Sequence, residues 1–468
     1  MGGQSEKSLS QDGVMAAEIP SSGETSWSSD AERKLVRKID LFLLPSIWLM
    51  SLFSWMDRAN LGNANIAGLT ADLGLSSSQF SMAVITYYFG YIIWVPISTM
   101  ILARTRPSLY LPAIMMLWGA VTCGGAGVKT YPQLLALRVL LGILESGLSP
   151  GITYMFSCWY RPDEIGKRVS TYNTSALVGG AFGGLIAGGV MENLEGAKGL
   201  RGWRWLFLIE GLVTIVVSVA AISTLPDIPA TWGRLSPEEK TIAMKRLQNI
   251  GIQVNDSGKS KPKLGVGQCV VLALKDWRSY AIALGAGFIS AMLIMAYFYP
   301  VLVRGLGYTD PVKAQYMTVP IWAVGLVFTM ASGFVTDRLP HWRVPVLASC
   351  LLLSVIMAVI TCAVYNFKAR YVFLALMTGG VWAGFTQGIA YIAELFQDVP
   401  PEQRAVTMGL MSVVGSTGNV YGAYLFPAGH APKYLVGFGM VAATGAIAAG
   451  SFLLIWILER RKQRYERR

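Results

Sequence analysis

The sequence predicts an all-α membrane protein, with twelve transmembrane helices in two pseudo-symmetric six-helix bundles. Three observations predict it. Hydrophobic residues make up 53% of the 468 and charged residues only 14%, well below the roughly 25% charged residues of a soluble domain; the mean hydropathy is +0.47. Apolar runs near 20 residues recur along the chain, each long enough to cross a hydrocarbon core of about 30 Å. The longest polar interruption, residues 225–278, separates six such runs from six more. The length of the runs and the lack of strict alternation select helices over a barrel.

Taken in order, residues 1–39 are polar and Ser-rich, with no apolar region and cleavage site ahead of the first run. A disordered tail without a signal peptide is expected there. The first bundle, 40–224, holds spans at 40–57, 80–103, 108–128, 132–155, 168–190 and 203–224. The linker, 225–278, contains Ser236-Pro-Glu-Glu239, a capping box with Pro at the first helical position. A short surface helix to about Asn249 follows from it. Asn255–Lys263 is a flexible basic stretch, and residues 264–275 form an apolar or amphipathic segment too short to span. The second bundle, 279–458, holds spans at 279–303, 314–336, 344–365, 371–395, 405–427 and 435–458, and residues 459–468 are a basic tail.

The net charge of +12 follows the topology. With both termini in the cytoplasm, 28 of the 39 Lys/Arg fall on cytoplasmic segments, the positive-inside bias. The charge therefore points to a bilayer and not to nucleic acid. Five cysteines show no metal-ligand spacing and read as small hydrophobes without disulfides. The halves form a weak parallel repeat. Pro162-Asp-Glu164 with Arg168 follows span four, and Pro401-Glu402 with Arg404 follows span ten. Repeats of this kind place a substrate site at the midplane between them. Gly180, Gly184 and Gly188 line one face of span five, a small-xxx-small stripe suited to close packing.

Four charges stand out against this apolar background. Asp57 and Arg58 lie at the end of the first run, and Arg138 and Glu145 lie inside the fourth. A charge at the bilayer centre costs roughly 2.5–3.5 kcal/mol on insertion scales, so such residues usually face a partner or a water-filled cavity. Arg138 and Glu145 are two helical turns apart and share a face. Static salt bridges between helices are the structural alternative for both pairs, and Asn60 could simply cap a helix end. Tyr297, Trp382, Gln387 and Tyr391 are candidates for shaping a cavity in the second half, with Asn419 as a polar contact. Inter-helix packing is the alternative for each. The two histidines, His341 and His430, lie in loops, and no nucleophile, phosphate or metal motif is present. An enzyme and a cofactor are thus not expected.

Gly333-Phe-Val-Thr-Asp337-Arg338-Leu-Pro-His-Trp-Arg343 resembles the loop signature of the major facilitator superfamily. In that family the Asp meets helix amino termini and basic groups and locks one conformation, so the resemblance implies gating roles for Gly333, Asp337, Arg338 and Arg343. The first-half equivalent, Thr99–Arg106, lacks the Asp. A closer resemblance is to the anion:cation symporter family, in its fungal branch of allantoate-, nicotinate- and vitamin-permease-like proteins. It is carried by Asp57-Arg58-Ala-Asn60, Arg138-Val-Leu-Leu-Gly142-Ile-Leu-Glu145, Gly202-Trp-Arg-Trp-Leu-Phe-Leu-Ile-Glu210-Gly211, Asn419-Val-Tyr-Gly422 and Pro432-Lys-Tyr434. It implies the major facilitator fold and a secondary active transporter. Asp57 and Glu145 would be proton sites, and Arg58 and Arg138 would bind a small organic anion, with Asn419, Gln387 and Tyr391 as further substrate contacts. The implied partners are that anion, protons and the lipid bilayer; a monomer in the plasma membrane is expected. Two other readings stay open. One is an exporter of a fungal metabolite, although span five lacks the Gly-Pro motif usual in drug antiporters. The other is a non-transporting nutrient sensor, although the long cytoplasmic extensions usual in sensors are missing.

Overall fold

The computed structural model describes residues 28–248, 266–308, 310–396, 399, 401–426, 430, 431 and 433–466. Among these, eleven helices are long and apolar enough to cross a membrane. Pro401–Gly422 is a further helix between spans ten and twelve, bringing each half to six. It opens with Pro401, Glu402 and Arg404 and is rich in Gly, Ser and Thr, so its composition is less apolar than its neighbours'. Gly418 and Gly422 let it lie directly against the backbone of Trp277–Leu293.

The helices are longer than the apolar runs. Span one reaches from Ser29 to Asp72, not 40 to 57. At its start Ser28 accepts a hydrogen bond from the Ala31 N–H, with Asp30 and Glu32 in the first turn, which favours a helix amino terminus. Residues 29–39 are therefore helical and not a disordered tail. At the far end Asp57 and Arg58 do not stop the helix, because the surrounding spans supply their partners or bury them. The helix widens into a π turn at Asn65–Leu69, where Gly68 adopts a positive φ of 102°, a conformation that costs glycine least. Span twelve runs through the basic tail to Glu466. Span four is Tyr131–Trp159, interrupted at Ser146-Gly147 directly after Glu145.

The linker carries the two expected helices, Pro237–Gln248 and Val266–Lys275. The capping box forms as read: the Ser236 N–H donates to Glu239 at 2.9 Å, and the Glu239 N–H donates to Ser236 Oγ at 3.1 Å. The Asn255–Lys263 stretch lies outside the described residues. Helix Pro237–Gln248 is clipped to the first bundle by ion pairs. Lys38 meets Glu239 at 2.8 Å, and Arg246, almost fully buried, meets Glu32 at 2.7 Å and Glu164 at 2.5 Å. Beside them Arg168 makes a two-pronged contact with Asp40, at 2.7 Å on each oxygen. Arg404, the residue matched to Arg168 by the repeat, has a side chain outside the described residues.

At the end opposite the linker the halves interlock. A Cβ on Gly180 or Gly188 would run into Trp322 or Tyr316, and one on Gly184 would strike Thr318. The glycine stripe of span five is thus the seam against span eight. Gln315 donates to the Asn63 carbonyl at 2.9 Å, and Ser81 Oγ donates to the Ala423 carbonyl at 2.8 Å. Deeper in, the Tyr88 and Tyr297 hydroxyls meet at 3.2 Å, and Trp382 lies edge-on to Trp55 at 5.5 Å between ring centres.

Candidate functional site

The four charges gather in the first bundle, but not in the pairs that sequence proximity suggested. Glu145 is buried, and one oxygen, Oε2, receives three donors: Arg58 Nε at 3.0 Å, Tyr87 OH at 2.9 Å and Ser54 Oγ at 2.9 Å. The cross-helix partner of Glu145 is therefore Arg58, not Arg138. Seven residues of helix separate Arg138 from Glu145 by about 10 Å along the axis, beyond direct contact. Arg138, 2% exposed, donates from Nε to the Ala83 carbonyl at 3.2 Å, and its Nη2 has no hydrogen-bond partner.

Asp57 and Arg58 also part company. Adjacent residues on a helix point in different directions, so Arg58 turns toward spans two and four while Asp57 turns toward spans three and six. Only the Nε of Arg58 engages Glu145. Its planar head lies among Trp55, Tyr87 and Tyr91, with ring centres 5.0, 5.5 and 5.5 Å away. Arg138 faces the same Tyr87 ring at 5.0 Å. Two guanidinium groups thus share one aromatic ring, each attracted to it while repelling the other, and neither fork is saturated by carboxylate. Tyr87 is held in place by a close helix crossing: a Cβ on Gly142 would collide with the Tyr87 backbone, and one on Gly90 with the Val139 carbonyl.

Asp57, 4% exposed, has no hydrogen bond to either oxygen. Trp118 and Thr122 are near enough to interact with it but outside hydrogen-bond geometry. Asn60 is fully buried inside the helix with both amide atoms unpartnered, so it is not an end cap.

The second-half candidates scatter. Gln387 donates to Ser332 at 3.2 Å and accepts from Thr336 at 3.1 Å, which ties span ten to span eight. Tyr391, one turn on, packs against Phe452 of span twelve. The two do not act on one neighbour, although they lie a turn apart. Asn419 is half-buried, with no hydrogen bond among the described residues. In the loop after span eight, Asp337 is exposed and makes no ion pair among the described residues, Arg338 lies over Phe334, and Arg343 meets Glu394 at 3.2 Å.

Three residues were missed in the sequence. Tyr87 and Ser54, on apolar stretches, carry no signal of their own. Glu210 does: it is an acid within the run 203–224, and the cost of intramembrane charge marks it. It is 1% exposed, with both oxygens unpartnered.

Residues 47–423 match the Major Facilitator Superfamily. The chain belongs to this superfamily: it is an integral, multi-pass membrane transporter and not an enzyme. Among similar proteins is the MFS-type transporter cnsO of Penicillium expansum, 31% identical over 94% of this chain and 86% of that protein. The high-affinity nicotinic acid transporter of Saccharomyces cerevisiae is 26% identical over 92% of this chain and 78% of its own length. In structure, the chain is similar to a bacterial homologue of the human lysosomal transporter Spinster, in an inward-facing, unoccupied conformation. The TM-score is 0.67 at 16% identity, covering 92% of this chain and 98% of that one. The xylose transporter XylE of E. coli gives 0.65 at 14% identity, covering 90% of this chain and 97% of that one. At these identities the structures speak for the fold alone.

Proposed function

We propose that this transporter carries a small organic anion, a carboxylate, together with protons in the same direction, by alternating access. The observation that carries the reading is Glu145 held by Arg58 and Tyr87 while Arg58 and Arg138 share the Tyr87 ring. An arriving carboxylate offers Arg58 a two-pronged partner. Glu145 then loses its cation in a low-dielectric site, where an uncompensated charge is costly. Proton uptake by Glu145 relieves that cost and lets the loaded protein reorient without a stranded charge. The empty protein returns with Glu145 again paired to Arg58. Arg138, with one nitrogen unpartnered, is the second anion contact.

The aromatic surround of Trp55, Tyr87, Tyr91 and Trp382 favours a flat, conjugated acid, and similarity to a protein named for nicotinic acid makes a pyridine carboxylate the first substrate to try. The Lys/Arg bias supports a cytoplasmic linker and termini, and the plasma membrane and a monomer complete the reading. The loop with Gly333, Asp337, Arg338 and Arg343 serves as a latch in the alternate conformation. The test is uptake in proteoliposomes under an imposed pH gradient, across a panel of labelled carboxylates that includes nicotinate, allantoate and biotin. Accumulation of at least one of them, abolished by a protonophore, is expected. Uptake insensitive to the protonophore contradicts coupling, and transport restricted to neutral or cationic compounds contradicts the anion assignment.

A further inference from the structure

A second polar cluster lies behind the arginine site, at the junction of spans one, three and six. Asp57 points there from span one, Trp118 and Thr122 from span three, and Glu210 and Thr214 from span six. All five are between 0 and 4% exposed, and Asp57 Oδ1 and Oδ2, Trp118 Nε1, Thr122 Oγ1, Glu210 Oε1 and Oε2, and Thr214 Oγ1 all lack hydrogen-bond partners. Buried polar groups are nearly always bonded, and each exception calls for an explanation. The backbones of spans three and six meet closely here: Gly211 lies directly against Gly119 and Cys123, and Gly119 against the Thr214 side chain.

The charge balance narrows what the cluster can hold. Asp57 acts electrostatically on Glu210, and Glu145 and Arg138 of span four act on Asp57, which in turn acts on the Cys123 thiol of span three. Arg58 is turned away onto Glu145. No cation contacts either carboxyl among the described residues. A metal ion fits poorly, since the Trp118 indole can only donate. Two uncompensated carboxylates in such a site repel each other and lose their hydration, which disfavours the doubly charged state.

We propose that Asp57 and Glu210 form a carboxyl pair that holds a proton between them, with Trp118 as donor to the charged member, so that Glu210 is a positioning residue governing how Asp57 gains and loses its proton. The pair takes up one proton and later releases the same proton; no other reactant is involved. This deepens the proton-coupled reading and rests on it for its role in transport, but the pair itself can be observed without transport.

The test is infrared difference spectroscopy of the full-length protein in lipid nanodiscs, titrated in pH with no substrate, alongside the pH dependence of proteoliposome uptake. The wild type shows a protonated-carboxyl band that titrates. Glu210→Gln removes the neighbouring carboxyl and moves both the band and the uptake midpoint toward acid by about one pH unit, tenfold in proton concentration. Trp118→Phe removes the donor and moves both toward alkaline pH by less, and it supplies the answer if Glu210→Gln does not fold. A band unchanged in position and midpoint in the folded variants overturns the pair. A band that behaves as expected, in a wild type whose uptake ignores the pH gradient, upholds the pair and overturns coupled transport.

Discussion

Arg58→Ala separates binding from stability. In the wild type the Arg58 Nε lies 3.0 Å from Glu145, whose side chain is 1% exposed, while that of Arg58 is 15% exposed. Removing one partner of such a pair leaves an uncompensated buried charge and typically costs about 3–5 kcal/mol. The remaining donors to Glu145, Tyr87 and Ser54, keep the loss toward the lower end of that range. A hydrogen bond to a charged group contributes about 1.5–3 kcal/mol, so losing the anion contact weakens substrate binding roughly 10- to 150-fold at 1.4 kcal/mol per tenfold. The double variant Arg58→Ala/Glu145→Gln removes the stranded charge. It should regain most of the thermal stability in detergent but none of the affinity. Thermal unfolding and equilibrium binding of a labelled carboxylate, measured on the single and double variants, give both numbers. Wild-type affinity in a folded Arg58→Ala variant refutes the anion-binding role. A double variant no more stable than the single refutes the account of the pair.

Four further outcomes follow from the same contacts. Arg138→Ala should abolish transport with folded protein still in the membrane, and Arg138→Lys should restore only part of it, because a point charge lacks the planar fork; near-normal uptake by the Ala variant leaves only a structural role. Asp57→Asn and Glu145→Gln should stop uphill accumulation yet permit substrate counterflow, since an amide keeps the shape but cannot titrate; persistence of pH-driven accumulation in both contradicts their role as coupling sites. Gly184→Leu should obstruct the span five–span eight seam beside Thr318, and cysteine pairs placed across that seam should crosslink less readily than in the parent. Finally, Glu239 sits outside the membrane: burial tends to raise its pKa, but Lys38 and the Ser236 N–H outweigh burial and hold the carboxyl below its ordinary value. Its contribution to docking helix Pro237–Gln248 is therefore fully present above about pH 4.3 and lost as pH falls through the lower folded value; hydrogen exchange of that helix should rise over that acid window, and Lys38→Met should raise exchange at neutral pH.

The bundle was readable because apolar runs of spanning length leave little choice of structure in a bilayer. The capping box at Ser236–Glu239 was readable because both its hydrogen bonds are local. The end of span one was not, since Asp57 and Arg58 look like the edge of the membrane until the partners from spans two and four are known. The pairing of Arg58 with Glu145 across helices depends on a close approach at Gly142 that no spacing within one helix reveals. Gln387 and Tyr391 illustrate the same limit, since helical periodicity puts them a turn apart but the bundle gives them to different neighbours. Glu210 shows a different kind of gap: an acid within the run 203–224 is a legible signal that was passed over, and the orphaned atoms around it suggest a use.

In the proposed cycle carboxylate and proton move together. The direct measurement is simultaneous recording of labelled carboxylate and internal pH in proteoliposomes loaded with a pH-sensitive dye, with membrane potential clamped by potassium and valinomycin. The account predicts internal acidification that begins with substrate addition, scales with uptake across substrate concentrations, and disappears in Glu145→Gln while counterflow continues. Net carboxylate entry with no accompanying acidification would contradict it.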